Sequence, residues 1–412
     1  MRIWCVSAPL YSHSDWGGFL KTAQALQARG HEVTWVSGPA LGAAVTRAGL
    51  RFAAVNETGW LWPPPPAPDL STLSPAAAVM LRYRRALDTW LSEDIVGTAA
   101  AELIALAKDS DTPDVILADP FLSAAALAAE ALAVPLLVCG WPAQETFAED
   151  TLFPVQKNLA SDSQERITRL LRRFGLAGVN FSKGATPSIL SPHLHISYFS
   201  PTWYQAEADS ILAQTLFVGG APEAPADMMP EWLNAIPAET PLALITLGTV
   251  FTGDLGFFSW AAQAAARVGL LPLVVLSNNP IAPEEKAKLK AALPGGTRLL
   301  NWAPFGHVLP RCKLAIHHGG MGTTHAITLH GIPQIVVPHA ADQRGQARRV
   351  AQAKIGLNLT AHDVRNGALL QGARALLADA RIQERARAVA AEMAALGGPQ
   401  RAAVAVEEKG KR

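Results

Sequence analysis

Glycine, histidine and hydroxyl residues follow an apolar run in the second half of the chain. The run Leu314-Ala315-Ile316 is followed by His317-His318-Gly319-Gly320-Met321-Gly322-Thr323-Thr324. This order predicts a strand, a tight loop and the first turn of a helix. Free backbone N–H groups and the positive end of a helix dipole meet at such a place, so the segment is suited to hold an anion.

The next apolar segment, from Gln334 to Pro338, leads to Asp342 and Gln343. A carboxylate and an amide together accept and donate hydrogen bonds, so this pair is suited to adjacent hydroxyls of a polyol. The alternative is that Asp342 caps a helix that begins at Gln343. An anion-binding segment and a polyol-binding pair so close together in the sequence predict a binding site for a nucleotide-sugar.

The stretch from Trp302 to Val350 resembles the donor-binding signature of nucleotide-sugar-dependent glycosyltransferases with two Rossmann domains. That group is family 1 of the GT-B fold, and it includes plant glucosyltransferases and bacterial antibiotic, macrolide, sterol and carotenoid glycosyltransferases. The resemblance implies that Trp302 stacks on the nucleobase and that Asp342 and Gln343 bind the sugar. A core tryptophan is the alternative at Trp302. The other implied donor-binding residues are Gly248, Thr249, Ala303, His317, Gly319, Gly320, Met321, Gly322 and Thr323.

Several of these residues carry a more specific expectation. The resemblance makes His317 a hydrogen-bond donor to the leaving diphosphate, whereas His318, next along the strand, is expected to point the other way. Thr323 as a helix N-cap is the competing interpretation of its hydroxyl. His325 stands where members with a ribose donor often carry a glutamate, and histidine cannot accept from two hydroxyls in that way. A UDP-sugar and a dTDP-sugar are therefore both open as donors. Phe305 stands where plant members have glutamine, so plant donor rules do not carry over.

The loop after the first predicted strand holds two candidate general bases, His13 and Asp15. In the resembled family a histidine in this loop, or an aspartate in some members, removes the proton from the acceptor hydroxyl. We favour His13, because an imidazole has a pKa near neutrality. The resemblance makes Asp119 the partner that orients this histidine. A helix cap before Leu122 is the alternative for Asp119.

The implied reaction is direct displacement that inverts the anomeric carbon of a hexose donor. It needs no metal or other cofactor, because a helix terminus and an imidazole hold the diphosphate. Aromatic residues in the first half indicate a small, lipophilic, hydroxylated acceptor. The candidate acceptor-binding residues are Trp60, Trp62, Trp141 and Phe147. Ordinary packing is the alternative for each of them.

Composition narrows the function classes. The 412 residues are 50% hydrophobic with a net charge of +1, which suits two buried cores and no nucleic-acid partner. Basic residues form a block only within residues 407–412, where we expect a frayed end. Three scattered cysteines indicate no disulfide framework. Neither a signal peptide nor a membrane-spanning apolar stretch is recognisable, so we expect a cytoplasmic protein without integral membrane association.

Strand-like and helix-like segments alternate along the chain, which predicts an α/β protein with parallel sheets. The resemblance implies the GT-B fold, in which two Rossmann-like, doubly wound domains face each other across a cleft. We expect an acceptor-binding domain at 1–220 and a donor-binding domain at 221–390. A helix or tail at 391–412 is expected to return toward the first domain.

Other interpretations use the same residues. A sugar-nucleotide epimerase of the same fold, or a non-catalytic helper protein that binds a nucleotide-sugar, would share the donor site. Gly320-Met321-Gly322 lacks the third glycine of a dinucleotide fingerprint, and Gly248 to Gly253 has P-loop spacing without the lysine. A zinc site built from histidines of the 317–325 segment lacks the usual ligand spacing.

Overall fold

The computed structural model describes every residue except 12–16, 67, 110–111, 146–157, 184–187, 223–224, 226, 249–254, 278–280, 340–341 and 411–412. The chain divides into two compact units. The first comprises Met1–Tyr198, Glu207–Gly219 and Leu396–Arg412, and the second comprises Phe199–Ala206 and Gly220–Ala395. Among the described residues, no helix is long and apolar enough to cross a membrane.

The described residues of the first unit form a parallel sheet of seven strands in the order β3-β2-β1-β4-β5-β6-β7. The strands are β1 (Arg2–Val6), β2 (Glu32–Ser37), β3 (Arg51–Ala54), β4 (Val115–Ala118), β5 (Leu136–Cys139), β6 (Leu194–Ser197) and β7 (Thr215–Phe217). β4 and β5 are buried along their whole length, as expected for central strands covered on both faces.

Six helices in the described part of residues 1–198 accompany this sheet. They are α1 (Phe19–Ala28), α2 (Gly42–Arg47), α3 (Pro75–Leu91), α4 (Glu93–Asp109), α5 (Ser123–Ala131) and α6 (Ala160–Phe174). Local sequence sets several ends. The side chain of Ser74 accepts a hydrogen bond from the N–H of Ala77 and caps α3, and α6 ends at Gly175, whose φ of 67° suits glycine.

The second unit repeats the plan with six described strands in the order β10-β9-β8-β11-β12-β13, all parallel. They are β8 (Leu242–Thr246), β9 (Leu271–Val275), β10 (Arg298–Leu300), β11 (Cys312–His317), β12 (Gln334–Val336) and β13 (Gly356–Asn358). The helices are α7 (Glu231–Asn234), α8 (Leu255–Arg267), α9 (Pro283–Ala292), α10 (Phe305–Val308), α11 (Met321–Leu329), α12 (Gln343–Gln352), α13 (Ala361–Arg365), α14 (Ala368–Ala378) and α15 (Ala380–Ala395). The predicted α/β architecture with two Rossmann-like parallel sheets is confirmed.

Each sheet contains one point at which the strand order reverses direction. It lies between β1 and β4 in the first unit and between β8 and β11 in the second. Loops that leave two neighbouring strands at such a point diverge toward opposite faces and leave a crevice at the carboxyl ends, where ligands bind in this class of sheet. The predicted catalytic and phosphate-binding residues lie at or after the carboxyl ends of these four strands.

The segment Phe199–Ala206 belongs to the second unit, although it lies within the expected first domain at 1–220. The aromatic rings of this segment contact residues of the second unit. Phe199 stacks on Trp203 with ring centroids 4.6 Å apart and meets the ring of His325 edge to face at 5.1 Å. The indole N–H of Trp203 donates to Oε1 of Gln346 at 3.1 Å. These contacts join residues far apart in sequence, so the boundary was not visible in the composition.

The C-terminal segment also differs from expectation. The boundary falls between Ala395 and Leu396, and the helix α16 (Gly398–Gly410) packs on α1 of the first unit. Glu407 accepts two hydrogen bonds from the guanidinium of Arg29, both at 2.7 Å, and lies 2.7 Å from Nε2 of His31. The expectation of a frayed end was wrong for residues up to Gly410, because this carboxylate ties the helix down.

We predict that Glu407→Gln loosens α16. The hydrogen bonds from Arg29 and then from His31 lower the pKa of Glu407 from 4.5 to about 2. A carboxyl pKa that is depressed by folding stabilises the native state above its ordinary value, and this contribution is lost as the pH falls from 4.5 toward 2. We expect amide exchange across α16 to rise about fivefold at neutral pH in the variant.

Glu408→Gln is the matched control, since Glu408 is exposed on the same helix turn. Hydrogen–deuterium exchange measures both variants. Equal exchange in the two, or wild-type protection of α16 relative to the intrinsic exchange rate that does not fall between pH 4.5 and 2, contradicts the assigned role of Glu407.

Candidate functional site

The predicted anion-binding segment lies where β11 ends and α11 begins. Gly319 has a φ of 91°, and Gly320 is the N-cap of α11 without a side-chain capping bond. A Cβ atom on Gly319 would lie 2.7 Å from Cγ1 of Val336 and 2.9 Å from the carbonyl oxygen of Gln343. Both the backbone angle and the space therefore require glycine at this turn.

The first turn of α11 presents backbone donors. Its first intrahelical bond runs from the N–H of Thr324 to the carbonyl of Gly320 at 2.9 Å, so the N–H groups of Met321, Gly322 and Thr323 have no acceptor inside the helix. Met321 is buried and Gly322 is exposed, so these two contribute backbone groups only. The interpretation of Thr323 as the N-cap was wrong, because Gly320 occupies that position.

His317, the last residue of β11, corrects a prediction. Its Nε2 lies 2.9 Å from Oε1 of Gln334, and its Nδ1 accepts from the N–H of Gly319 at 3.1 Å. The residue is completely buried. Both ring nitrogens are therefore occupied inside the unit, and the imidazole does not face a diphosphate as we expected.

His318 lies beside Gly248 and Gly320, two of the glycines that were predicted to bind the donor. A Cβ atom on Gly248 would lie 2.6 Å from its ring, and one on Gly320 would lie 2.4 Å from its Nε2. The imidazole therefore packs against both glycine turns at the ends of β8 and β11. Its buried Nδ1 makes no hydrogen bond to any residue that the structure describes.

Burial keeps both imidazoles neutral near pH 7. It lowers the pKa of His317 to about 4, against a smaller raising effect of the hydrogen bond with Gln334. The pKa of His318 falls to about 3, first through burial and then through the proximity of His317 and His339. These rings are hydrogen-bonding groups rather than cations, so an anion here meets mainly the helix dipole and backbone N–H groups.

The predicted polyol-binding pair is only partly presented. Asp342 occupies the N-cap position of α12, as the capping alternative has it, but its side chain makes no capping hydrogen bond. Gln343 is 2% exposed, and its Oε1 accepts from the N–H of His339 at 2.8 Å. The amide oxygen is thus used on the backbone of His339, and the binding of a sugar by Gln343 and by Asp342 stays a prediction.

The residues predicted around the nucleoside separate by exposure. Trp302 is 65% exposed just after β10, so the core-tryptophan alternative was wrong. The methyl group of Ala303 is buried in the core and can offer a ligand only its backbone. Gly248, with a φ of 70°, donates its N–H to Oγ1 of Thr246 at 3.1 Å. Thr249 lies outside the described residues.

His325 is packed into the second unit on the face of α11. It is buried and meets Phe199 edge to face, and its Cε1 would lie 3.8 Å from a Cβ atom on Gly220. The position at which ribose-using relatives often carry a glutamate thus holds a buried imidazole. It offers no carboxylate to a pair of ribose hydroxyls.

In the first unit, Asp119 follows β4 and is completely buried. Its Oδ1 accepts from the N–H of Phe121 at 2.8 Å, and its Oδ2 lies 3.4 Å from the N–H of Ala8, which follows β1. The N-cap of α5 is Leu122, so the interpretation of Asp119 as that cap was wrong. The carboxylate instead links the two strand ends at the point where the order reverses.

The two candidate bases, His13 and Asp15, lie outside the described residues. Asp119 binds the backbone of Ala8, which begins the loop that carries them. The choice between the two bases therefore stays as the sequence left it.

Aromatic residues near Asp119 gather around Phe121, which the sequence analysis missed. Its ring centroid lies 5.9 Å from that of Trp60, 6.3 Å from that of Trp141 and 6.5 Å from that of Trp90. Trp141 is almost fully buried, so the packing alternative fits it better than an acceptor wall. The sequence position of Phe121 could have indicated this place, because Phe121 comes two residues after Asp119, which follows β4.

Two predicted acceptor residues stand apart from this cluster. Trp62 is 43% exposed and immediately precedes the proline run that begins at Pro63. Phe147 lies outside the described residues. Among the residues that the structure does describe, no three His, Cys, Asp or Glu side chains are grouped as metal ligands would be.

Comparisons with known proteins agree with this geometry. Two models of the erythromycin biosynthesis protein CIII-like family match the chain, the N-terminal domain over residues 24–172 and the C-terminal domain over residues 273–408. The chain is 26% identical to the NDP-glycosyltransferase YjiC of Bacillus subtilis (strain 168), covering 98% of this chain and 95% of that protein. It is 25% identical to the erythronolide mycarosyltransferase of Saccharopolyspora erythraea, covering 100% and 99%.

Solved structures share the fold. The glycosyltransferase of kitacinnamycin superposes with a TM-score of 0.75 at 24% identity, covering 99% of this chain and 98% of that one. The spinosyn rhamnosyltransferase SpnG, complexed with thymidine diphosphate, superposes with a TM-score of 0.69 at 22% identity, covering 99% and 100%. At these identities the likeness establishes the GT-B architecture.

Proposed function

The chain belongs to the erythromycin biosynthesis protein CIII-like glycosyltransferases of family 1 and GT-B fold, and from that premise we propose its donor, acceptor and mechanism. The enzyme transfers a hexose from a nucleoside diphosphate sugar to a hydroxyl of a small lipophilic acceptor. One observation carries the donor half of this proposal. The first turn of α11, which follows the glycine turn after β11, presents backbone N–H groups that have no acceptor inside the helix, at the point where the strand order reverses.

The diphosphate is assigned to that turn. Its negative charge meets the positive end of α11 and the N–H groups of Met321, Gly322 and Thr323. His318, and not His317, is the imidazole assigned to it, because its ring packs against both Gly248 and Gly320. Asp342 is assigned to the sugar hydroxyls.

The nucleoside is assigned to Trp302, whose exposed indole offers a flat stacking face. We favour a dTDP-sugar over a UDP-sugar, since His325 supplies no carboxylate for a ribose pair. The name of one relative supports the choice of thymine as the nucleobase. The TDP-daunosamine transferase DnrS of Streptomyces peucetius is 26% identical over 384 residues.

The proposed chemistry is a single displacement with inversion. A base from the loop after β1 takes the proton of the acceptor hydroxyl as its oxygen attacks the anomeric carbon. The bond to the diphosphate breaks, and the charge that develops on the leaving oxygen is met by backbone N–H groups that are already oriented. We assign no metal to this step, because the helix terminus and imidazole supply that stabilisation.

His13 is the proposed base and Asp15 the alternative, with Asp119 as the residue that orients the loop. The buried carboxylate of Asp119 binds the backbone at Ala8, which supports a positioning role. The acceptor is assigned to the first unit near Phe121 and Trp60, whose aromatic faces suit an apolar compound.

We predict that Trp302→Ala raises the dissociation constant for dTDP about tenfold, because loss of a base-stacking partner costs roughly 1–3 kcal/mol. Trp302→Phe keeps an aromatic face and is expected to recover most of the affinity. Trp260→Ala is the matched control, since Trp260 is also partly exposed in the second unit but lies on α8. Calorimetry with dTDP and UDP measures all three. If the two alanine variants bind alike, Trp302 has no part in the nucleoside site.

We predict that His13→Ala lowers kcat at least about a hundredfold, the lower range for loss of a general base, while affinity for the donor persists. Asp15→Asn is expected to change kcat much less. Turnover is followed by mass spectrometry with a panel of UDP- and dTDP-sugars and phenolic or macrolide acceptors. The reverse ranking of the two variants makes Asp15 the base. Full turnover in both removes this loop from the mechanism.

A further inference from the structure

A chain of buried hydrogen bonds connects β12 to the glycine turn. The hydroxyl of Thr328 donates to the carbonyl of Thr324 at 2.7 Å and accepts from Nε2 of Gln334 at 2.9 Å. Oε1 of Gln334 lies 2.9 Å from Nε2 of His317, and Nδ1 of His317 accepts from the N–H of Gly319 at 3.1 Å. The side chains of this chain are all buried, so it is shielded from water.

Each bond in this chain fixes the direction of the next. The Thr328 hydroxyl uses its single proton on Thr324, so it can only accept from Gln334. The amide oxygen of Gln334 must then face His317, whose Nε2 carries the proton. Nδ1 of His317 is left with a lone pair, and a lone pair is what the N–H of Gly319 requires. A glutamine on one strand thus selects a tautomer on the next.

The end of the chain is the turn that starts α11. The N–H of Gly319 is buried and needs an acceptor, and Gly319 adopts a φ of 91° where the chain bends toward the helix. If His317 carried a proton on Nδ1, two N–H groups would oppose each other at this bend. The turn, and with it the direction of the free N–H groups of α11, would lose its anchor.

We propose that Gln334 is a positioning residue for the diphosphate, acting through His317. Gln334 lies on β12, and its amide contacts His317 and Thr328. The neutral imidazole, protonated on Nε2, holds Gly319 so that the helix N–H groups point at the phosphates. This inference rests on the proposed function of the turn and adds a residue to which the resemblance gives no role.

A double-mutant cycle tests the proposal. Gln334→Met keeps the volume but removes the selection of the tautomer, and we expect dTDP to bind about tenfold more weakly, as for loss of one hydrogen bond to a charged group. His317→Asn places an amide oxygen near the position of Nδ1, which accepts from Gly319 without help from Gln334. In the His317→Asn background, the further change Gln334→Met is therefore expected to alter dTDP affinity less than twofold.

Gln346→Met is the matched control for loss of a buried glutamine. Gln346 is also buried in the second unit, but its amide oxygen bonds Trp203 and not the turn. We expect it to leave dTDP affinity near the wild-type value. Thymidine, which lacks phosphates, is expected to bind equally to all variants, because the network acts only on the phosphate groups.

Gln334→Glu provides a pH readout that packing alone does not move. A carboxylate beside Nε2 stabilises the imidazolium and raises the pKa of His317 from its depressed value. Protonation then places an N–H on Nδ1 against that of Gly319, so we expect dTDP affinity of this variant to fall as the pH is lowered from 8 to about 6. In the wild type, whose His317 has a pKa of about 4, we expect only the smaller change that protonation of the dTDP phosphate itself causes, so the variant is compared with the wild type at each pH.

Nuclear magnetic resonance separates the two claims. The nitrogen signals of His317 report its tautomer, and the amide exchange of Gly319 reports the anchor, both without ligand. A wild type with the proton on Nε2 and a protected Gly319 amide, both lost in Gln334→Met, supports the network even if no nucleotide binds. A proton on Nδ1, or additive losses of dTDP affinity in the cycle, overturns the proposal. A wild type that binds no nucleoside diphosphate overturns the proposed function instead.

Discussion

The N–H groups at the start of α11 can meet an anion only if the backbone bends sharply after β11, and this bend is the constraint on which the donor half of the protein depends. Gly319 has no room for a Cβ atom between Val336 and the carbonyl of Gln343. Gly320 and Gly248 in turn leave space for the ring of His318. The absence of side chains thus shapes the site as much as the presence of any functional group.

The first unit has a similar arrangement at the point where its strand order reverses. Its sheet reverses direction between β1 and β4, as the second sheet does between β8 and β11. Asp119 joins the ends of the first pair through the N–H of Ala8, and His318 packs across the ends of the second pair. Each unit therefore carries a buried polar side chain that bridges its reversal point, where the diverging loops leave the sheet open.

Much of this arrangement was predictable because it is local. The glycine turn was recognised from its place between an apolar run and a helix start. The contacts of the two adjacent histidines could not be predicted in this way. β11 ends at His317 and the chain turns at once, so the alternation of side chains along a strand does not tell where the ring of His318 lies.

What the sequence could not reveal depends on contacts between distant residues. Gln334 lies 17 residues from the imidazole that it orients, and Glu407 lies 378 residues from Arg29. The aromatic segment at 199–206 joins the second unit through α11 and α12. None of these pairings follows from spacing or composition, because each is decided by which elements the sheet order brings together.

The central claim is that the second unit holds a nucleoside diphosphate by the bare N–H groups of α11. The most direct measurement follows the backbone amide signals of Met321, Gly322 and Thr323 by nuclear magnetic resonance during titration with dTDP and, separately, thymidine. We expect dTDP to shift the signals of these three amides. We also expect dTDP to bind at least about tenfold more tightly than thymidine, because charge-assisted hydrogen bonds hold its two phosphates. Equal affinity for the two compounds, with these amides unmoved, would contradict the central claim.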